Sequence, residues 1–247
     1  MKKIYFLLVA LLFTFNAGAQ TNNCDVNSDG EINVADVTAV VKAILNGGNT
    51  TPITPATGEA IDLGLSVKWA SCNVGATKPE EYGGYYAWGE TEEKSDYSWS
   101  TYKYCNGTST SMTKYCTYSD HGTVDNKTTL EAEDDVAHVK WGGSWRMPTF
   151  VEMEELRTNC TWNETTINGV NGYRVTGPNG NSIFLPKAGY YTDSGLSSLG
   201  TIGSYWASSL FTYYNSNNAE GLSFNSNDGW WLCEYRNSGL SVRPVCE

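Results

Sequence analysis

The chain has 247 residues, of which 40% are hydrophobic and 13% are aromatic. This composition argues against disorder and is enough for one sizeable domain with a small appendage. The formal net charge of −11 repels phosphate backbones, so we expect no nucleic-acid partner, whereas calcium or neutral ligands suit it. The 25 glycines and the many Asn, Ser and Thr residues indicate short strands joined by tight turns, as in a loop-rich α+β fold.

Residues 1–19 read MKKIYFLLVALLFTFNAGA, with two early lysines, an apolar run and a small-x-small end at Ala17–Ala19. This pattern is typical of a secretory signal that is cleaved before Gln20. The apolar run is short for a membrane span. We therefore expect a secreted protein, extracellular or associated with the outer envelope, and no membrane span.

The seven cysteines favour disulfides, because these bonds persist in the oxidising compartments that secreted proteins enter. Cys105 and Cys116 are close enough in sequence to close a local loop. Since the number is odd, one thiol stays free or pairs outside the chain, and Cys24 is the candidate because it precedes the main domain. Cys-x-x-Cys spacing, which zinc or redox chemistry uses, does not occur.

Residues 25–36 read DVNSDGEINVAD and form the clearest chemical motif of the chain. Calcium takes about six to eight oxygen ligands, and an EF-hand-type loop supplies them from alternate positions around a glycine at the sixth. Gly30 occupies that glycine position. The predicted calcium ligands are Asp25, Asn27, Asp29, Glu31 through its carbonyl, Asn33 and Asp36.

An amphipathic helix should follow the loop, with its apolar face running from Val37 to Leu45 and Gly47 as its stop. The loop and helix, within residues 20–47, resemble one repeat of a type I dockerin, a module that docks into cohesin domains. Dockerins usually carry two such repeats, and only one is present here. The resemblance implies calcium binding and leaves two interpretations open: a cohesin-like partner, or a calcium-stiffened spacer without a partner.

Residues 48–60 are rich in Gly, Thr and Pro, which is typical of a linker. The main domain should therefore span residues 61–247. Within it, apolar residues at 65, 67 and 69 alternate with polar ones and predict a half-buried strand. Residues 91–133 are polar, rich in tyrosine and without periodicity, which favours an insertion of long loops.

The segment WGGSWRMPT, from Trp141 to Thr149, is predicted to be the centre of the fold. Thr149 and Glu152 have the spacing of a capping box, so a helix should begin there, with a buried stripe at 150, 153 and 156. The paired glycines let Trp141 and Trp145 enter one packed layer. A short helix over 134–141 should precede this segment. After it, we expect a hairpin over 172–186 and strands at 204–208, 221–224, 230–234 and 240–245.

WRMPT at 145–149 and GLSVRPVCE at 239–247 are similar to segments of the formylglycine-generating-enzyme and sulfatase-modifying group. Together with DLGLSVKWASCNVGA at 62–76 and YYAWGE at 85–90, they more closely resemble the Fibrobacter succinogenes major paralogous domain, a family of secreted bacterial modules. The resemblance implies a C-type-lectin-like fold of short strands with one or two helices. It also implies a disulfide between Cys72 and Cys246.

The C-terminal third is crowded with Tyr, Trp and Asn, the residue types that binding loops favour, because rigid rings and small amides make contacts at low entropic cost. A plainer interpretation is that the polar residues form solvated turns and that Trp230 or Trp231 is a core residue. The predicted ligand-binding residues are Tyr213, Tyr214, Asn215, Asn217, Asn225, Asn227, Asp228, Trp230, Trp231 and Tyr235.

We expect these residues to bind a glycan or a surface protein, and we expect no catalysis. His121 and His138 are the only histidines, and Glu152 and Glu155, the conceivable carboxylate pair, should lie on a solvated helix face. Two alternatives remain at this point. One is a dockerin-tethered component of extracellular polysaccharide degradation, and the other is a structural envelope or fimbrial subunit.

Overall fold

The structure is a computed structural model that describes residues 58–213, 215–226 and 231–247, apart from the side chains of Trp231 and Leu232. All of these residues belong to one compact unit. The predicted signal, the calcium loop with its helix, and most of the linker lie outside the described residues, so these stay predictions.

The described chain forms eleven strands and two α-helices. The strands are β1 (Ala60–Ile61), β2 (Lys68–Ala70), β3 (Thr161–Ile167), β4 (Val170–Thr176), β5 (Ser182–Pro186), β6 (Tyr190–Thr192), β7 (Gly195–Ser197), β8 (Gly203–Leu210), β9 (Asn218–Phe224), β10 (Trp231–Tyr235) and β11 (Val245–Cys246). The helices are α1 (Val136–Trp141) and α2 (Phe150–Asn159), and three single turns of 3-10 helix cover Trp99–Thr101, Ser119–His121 and Ala132–Asp134.

The sheets are small, and every pairing between the described strands is antiparallel. Three sheets have three strands each, in the orders β1-β2-β11, β3-β4-β5 and β10-β9-β8, while β6 and β7 form a separate hairpin. The described chain is therefore a mixed, β-rich fold. The expectation of short strands with one or two helices is confirmed.

Helix α2 begins where its capping box predicts. The Thr149 hydroxyl accepts from the Glu152 amide at 3.3 Å, and the Glu152 carboxylate accepts from the Thr149 amide at 2.7 Å. Both bonds satisfy amides that have no partner inside the helix. Met153 and Leu156 are buried as predicted, whereas Phe150 is half-buried.

The paired glycines before α2 also act as predicted. Gly142 and Gly143 adopt φ values of 66° and 58°, a conformation that costs a side-chain-bearing residue about 1 kcal/mol or more. The turn brings the rings of Trp141 and Trp145 edge to face, with their centroids 5.1 Å apart and their planes at 89°.

Strand β3 is the longest element that the sequence analysis missed. Its sequence, TWNETTI, is mostly polar, and its burial follows no alternation that hydrophobicity could reveal. The strand forms because Asn168 and Gly169, at φ 48° and 86°, make a two-residue turn into β4. Asn-Gly is the strongest short hairpin signal in a sequence, so the turn could have revealed this strand.

The β8-β9-β10 sheet separates two hydrophobic clusters. Neighbouring residues of β8 enter opposite clusters: Trp206 packs in the larger one and Tyr205 in the smaller one, as strand alternation requires. Strand β9 follows the same rule, because Ala219 enters the larger cluster and Leu222 the smaller one. Helix α2 covers the smaller cluster with Met153.

The insertion at 91–133 has the irregular backbone that was predicted, but it is not a polar surface feature. Four of its tyrosines and one methionine are at most 7% exposed and belong to the larger cluster; they are Tyr97, Tyr102, Tyr104, Tyr115 and Met112. The insertion is therefore part of the core. Its tyrosines supply ring area inside the domain and hydroxyls for buried hydrogen bonds.

The disulfide implied between Cys72 and Cys246 is wrong, because both thiols are free. The register of β2 and β11 places Cys246 opposite Lys68. Cys72 lies four residues farther along the chain, roughly 13 Å in extended backbone, which is beyond the reach of a disulfide. Instead, the Cys72 thiol donates to the Ala76 carbonyl at 3.3 Å.

The local pair Cys105 and Cys116 is also unbonded. The Cys105 thiol donates to the Trp99 carbonyl at 3.1 Å, and the Cys116 thiol donates to the Tyr118 carbonyl at 3.2 Å. The backbone of Cys105 instead forms an antiparallel β-bridge with that of Met112. Proximity in sequence therefore does not bring the thiols of Cys105 and Cys116 together.

Candidate ligand-binding surface

The predicted ligand-binding residues lie at two opposite ends of the β8-β9-β10 sheet. Tyr235 pairs with Asn218 at the start of β9, whereas Asn225 follows Phe224 at the end of that strand. Strand β9 has seven residues, so the two ends are roughly 20 Å apart. The structure therefore divides what the sequence analysis treated as one group.

Tyr213 and Tyr235 belong to the same end. Phe211 donates to the carbonyl of Asn218 at 3.3 Å, so the β8-β9 loop leaves the sheet beside the partner of Tyr235. Tyr213 is 65% exposed and Tyr235 is 52% exposed. They are the most exposed aromatic side chains among the described residues.

The insertion adds further rings to this end of the sheet. The Tyr118 hydroxyl donates to the Thr212 carbonyl at 2.9 Å, which ties the insertion to the β8-β9 loop. Trp99 packs edge to face on Tyr235, with ring centroids 6.1 Å apart. We call this group the aromatic surface; its members are Trp99, Tyr118, His121, Phe211, Tyr213 and Tyr235.

The sequence analysis assigned no ligand role to four members of this surface. Trp99, Tyr118 and His121 belong to the insertion. Tyr118, for example, precedes its hydrogen-bond partner Thr212 in the β8-β9 loop by more than ninety residues. Nothing in the sequence around these residues indicates that the fold brings them next to the β8-β9 loop. Phe211 stands one residue after β8 and was the only one that its neighbours could have suggested.

Asn215 and Asn217 form hydrogen bonds within the protein at the β8-β9 loop. The Asn215 side-chain oxygen accepts from the Asn218 amide at 3.2 Å, and the Asn217 carbonyl accepts from the Arg236 amide at 3.0 Å. Both residues are half-buried. The Asn215 side chain therefore serves a hydrogen-bonded turn, whereas Asn217 contributes only its backbone carbonyl, and its side-chain oxygen is buried without a hydrogen bond to a described residue.

The remaining predicted residues fall largely outside the description. Tyr214, Asn227, Asp228 and Trp230 are not among the described residues. The backbone of Trp231 pairs with Ser223 in the sheet.

Arg236 links the segments of the chain that carry the aromatic surface. Its side chain is fully buried, and its guanidinium donates to the carbonyls of Lys114, Tyr115 and Ser216 at 2.8 to 3.0 Å and to the Tyr102 hydroxyl at 2.9 Å. The insertion and the β8-β9 loop are thus fastened to the same side chain. A planar fork of donors is needed to reach acceptors in several directions at once.

A second buried network lies in the insertion. Asp134 is 2% exposed and accepts from the hydroxyls of Tyr104 and Tyr115 and from the ammonium groups of Lys103 and Lys114. Burial raises the pKa of the Asp134 carboxyl, but these donors outweigh burial and lower that pKa to about 2.

Asp134 also belongs to an acidic triad with Glu131 and Glu133, whose oxygens are close enough to share a metal ion. The Lys114 ammonium already lies 2.5 Å from Glu131, 2.6 Å from Asp134 and 3.6 Å from Glu133. A metal would have to displace this cation. The triad is therefore a weak metal candidate.

The acid-base candidates are occupied by structural contacts. His121 Nδ1 accepts from the Ser216 amide at 3.2 Å. Glu152 caps α2 and pairs with Arg146 at 2.6 Å, while Glu155 accepts from the Ser66 amide at 3.1 Å. Each group therefore serves the fold.

Two of the surface cavities formed by the described residues have well-defined linings. One, of about 270 Å³, is lined mostly by apolar side chains such as Ile61, Ile167 and Ile183, and its lining also includes Arg174. The other, of about 210 Å³, lies at the Asn225 end of the β8-β9-β10 sheet and includes Ser204, Ser223 and Glu234.

Comparison of the chain with protein-family models, curated proteins and solved structures found no match. Among the described residues, no helix has both the length and the apolar character that crossing a membrane requires.

Proposed function

We propose that this chain is a ligand-binding module that recognises a glycan or a surface protein through the aromatic surface. The observation that carries the proposal is the exposure of Tyr213 and Tyr235, at 65% and 52%, in a domain that buries its tryptophans at 69, 88 and 206 almost completely. Exposed rings clustered at one place commonly mark an interaction site.

The surface is also well ordered for binding. Tyr118 is hydrogen-bonded to Thr212, Trp99 packs on Tyr235, and Arg236 fastens the segments beneath them. A partner would meet rings that are already in place and would not have to order them, which lowers the entropic cost of association. Tyrosine rings suit the apolar faces of sugars as well as protein side chains.

The proposal includes the properties that the sequence analysis expects. These are a C-type-lectin-like domain, secretion to the extracellular space or outer envelope, and a single dockerin-like calcium repeat at 20–47. The net charge of −11 supports a neutral or cationic ligand over a phosphate-rich one.

The decisive experiment is a binding screen of the full chain against glycan and surface-protein collections, followed by affinity measurement. We expect the double variant Tyr213→Ala/Tyr235→Ala to lose at least about tenfold in affinity for any ligand of this surface, because exposed aromatic anchors carry much of the binding energy. The matched control is Val151→Ala/Leu196→Ala, which shortens two exposed apolar residues elsewhere and should bind as the wild type does. Undiminished binding by the tyrosine variant would refute the assignment.

The calcium repeat has a separate test. We expect calorimetry to detect calcium binding that Asp25→Asn/Asp29→Asn abolishes, because both carboxylates are predicted ligands. The control Glu131→Gln/Glu133→Gln alters the acidic triad of the described domain and should leave the titration unchanged. Chelation should leave the thermal unfolding of the main domain in place. A calcium signal lost only in the triad variant would move the site to the insertion.

A further inference from the structure

The larger cavity, of about 270 Å³, is a groove over one face of the β3-β4-β5 sheet. Arg174 of β4 stands opposite Phe184 of β5. Ile167 of β3 stands opposite Val170, four residues before Arg174 on β4. Paired residues share a face, and alternate residues of a strand return to that face. Arg174, Phe184 and Ile167 therefore point to the same side of the sheet, and all three line the cavity.

Residues 61–80 form the opposite wall of the groove and are bonded to the sheet at both of its ends. At one end, the Asn179 side chain donates to the Asp62 carbonyl at 2.9 Å. At the other end, the Asn168 side chain donates to the Glu80 carboxylate at 2.7 Å. The residues that this wall contributes to the lining are Ile61, Ser71 and Pro79.

The buried Arg243 side chain fixes the middle of the groove. Its guanidinium donates to the Ala70 carbonyl at 3.0 Å and to the Phe184 carbonyl at 2.9 Å, so it joins the two walls. The groove is thus held open by contacts of the fold itself, and a ligand would not have to order its walls.

Arg174 is the unusual member of the lining. Its side chain is exposed and forms no hydrogen bond or ion pair with a described residue. Among the described residues, no Asp or Glu lines the cavity. A guanidinium matches a carboxylate with two parallel hydrogen bonds, so the groove offers an unused group for an anion. The other arginines all donate to acceptors in the protein; they are Arg146, Arg157, Arg236 and Arg243.

The two ends of the groove differ in chemistry. Ser182, which also lines the cavity, lies two residues before Phe184 on β5, so its hydroxyl faces the same side of the sheet as the guanidinium. The Phe184 ring extends toward the other end. A Cβ atom on Gly172 would lie 2.5 Å from the Cζ atom of this ring, so the ring covers Gly172 on the way to Ile167. The groove therefore has donors at one end and apolar walls at the other.

We propose that this groove binds a medium-chain aliphatic monocarboxylate. The carboxylate pairs with Arg174, and the hydrocarbon chain lies along the Phe184 ring toward Ile167. The levels of Arg174 and Ile167 on the sheet are four residues apart, or roughly 13 Å, which suits an acid of about six to eight carbons.

Other ligand classes fit the groove less well. Phosphate and sulfate would use the guanidinium but leave the apolar walls without a partner, and the net charge of −11 repels a doubly charged anion more strongly than a monoanion. A neutral alcohol of the same length would fill the apolar end but leave Arg174 without an acceptor for its charged donors.

This site goes beyond the proposed function and is separate from the aromatic surface. The groove belongs to the β3-β4-β5 sheet, whereas Tyr235 pairs with Asn218 in the β8-β9-β10 sheet. The two assignments can therefore fail separately.

The test is an NMR titration of the isotopically labelled full chain with sodium acetate, butyrate, hexanoate and octanoate, and with 1-hexanol and inorganic phosphate as probes of charge. We expect hexanoate and octanoate to shift the amide signals of Arg174 and Phe184. From butyrate to hexanoate, the affinity should rise roughly three- to fourfold for each methylene that is buried. Acetate and phosphate should bind more weakly than hexanoate.

Two variants separate the contribution of charge from that of the apolar walls. Arg174→Gln should weaken hexanoate at least about tenfold and leave hexanol unchanged, because only the acid uses the guanidinium. Ile167→Ala should reduce the gain in affinity from hexanoate to octanoate. Arg157→Gln, which removes a surface arginine of α2, is the matched control and should bind hexanoate as the wild type does.

The Tyr213→Ala/Tyr235→Ala variant should also bind hexanoate as the wild type does, whatever happens at the aromatic surface. The proposal is overturned if no acid shifts the signals of Arg174 and Phe184, or if Arg174→Gln binds hexanoate unchanged. It is equally overturned if acetate or phosphate binds as tightly as hexanoate, which would indicate a surface arginine that attracts any anion.

Discussion

Arg236→Met is expected to lower the free energy of unfolding by about 3 to 5 kcal/mol. The guanidinium is fully buried and donates to three backbone carbonyls and the Tyr102 hydroxyl. Methionine fills much of the same volume but leaves those acceptors without donors in a place that water does not reach. The loss also removes packing on the Trp88 ring, which lies 4.9 Å from the guanidinium carbon.

Two companion variants separate geometry from charge. Arg236→Lys keeps the positive charge, but one ammonium group cannot reach carbonyls in so many directions, so we expect a loss close to that of methionine. Arg157→Met removes a surface arginine that pairs with Glu154 and should cost less than about 1 kcal/mol. Urea unfolding followed by circular dichroism measures all three. A loss below 1 kcal/mol for Arg236→Met would contradict the role that we assign to this residue.

Glu220→Gln is expected to stabilise the protein above neutral pH and to have little effect near pH 4.5. Glu220 lies on β9 opposite Cys233, is 8% exposed and has no hydrogen bond to a described residue. Burial, assisted by the charge of Glu154, raises the pKa of its carboxyl from 4.5 to about 7. The folded state therefore holds the proton more tightly than the unfolded state does.

The direction of the effect follows from this binding of the proton. Between pH 4.5 and about 7, the folded wild type carries more protons at Glu220 than the unfolded chain, so its stability falls as pH rises. The rise in the pKa of Glu220 from 4.5 to about 7 corresponds to roughly 3 kcal/mol of stability, which the variant with the neutral glutamine does not lose. We would compare the unfolding free energies of both proteins at pH 5 and pH 8, with the exposed Glu59→Gln as control. A difference between wild type and variant that does not change with pH would contradict the raised pKa.

Local patterns predicted several elements correctly. The capping box at Thr149 and Glu152, the glycine turn between Trp141 and Trp145, and the β4-β5 hairpin all depend on residues close in sequence. Local backbone chemistry decides such features, since caps and turns satisfy hydrogen bonds within a few residues. Strand β3 was missed because its face is polar, although its Asn-Gly turn was a usable signal.

The candidate site was only partly predictable. Tyr213 and Tyr235 lie together on the aromatic surface, whereas Asn225 lies at the other end of the sheet beside the smaller cavity. Trp99 and Tyr118 reach the surface through contacts over more than ninety residues. Register and long-range packing decide such contacts, and neither is visible in the residues around Tyr213.

The sequence by itself determined the β-rich architecture with few helices, the position of α2 and the surplus of aromatic residues in C-terminal loops. Only the tertiary structure decided that the tyrosines of the insertion are core residues and that Cys72 and Cys246 are too far apart for a disulfide. It also decided that the predicted ligand-binding residues lie at two separate ends of the β8-β9-β10 sheet. The physical reason is that strand pairing sets distance and face together. A shift of a few residues in register changes which side chains meet, while the composition of each segment stays the same.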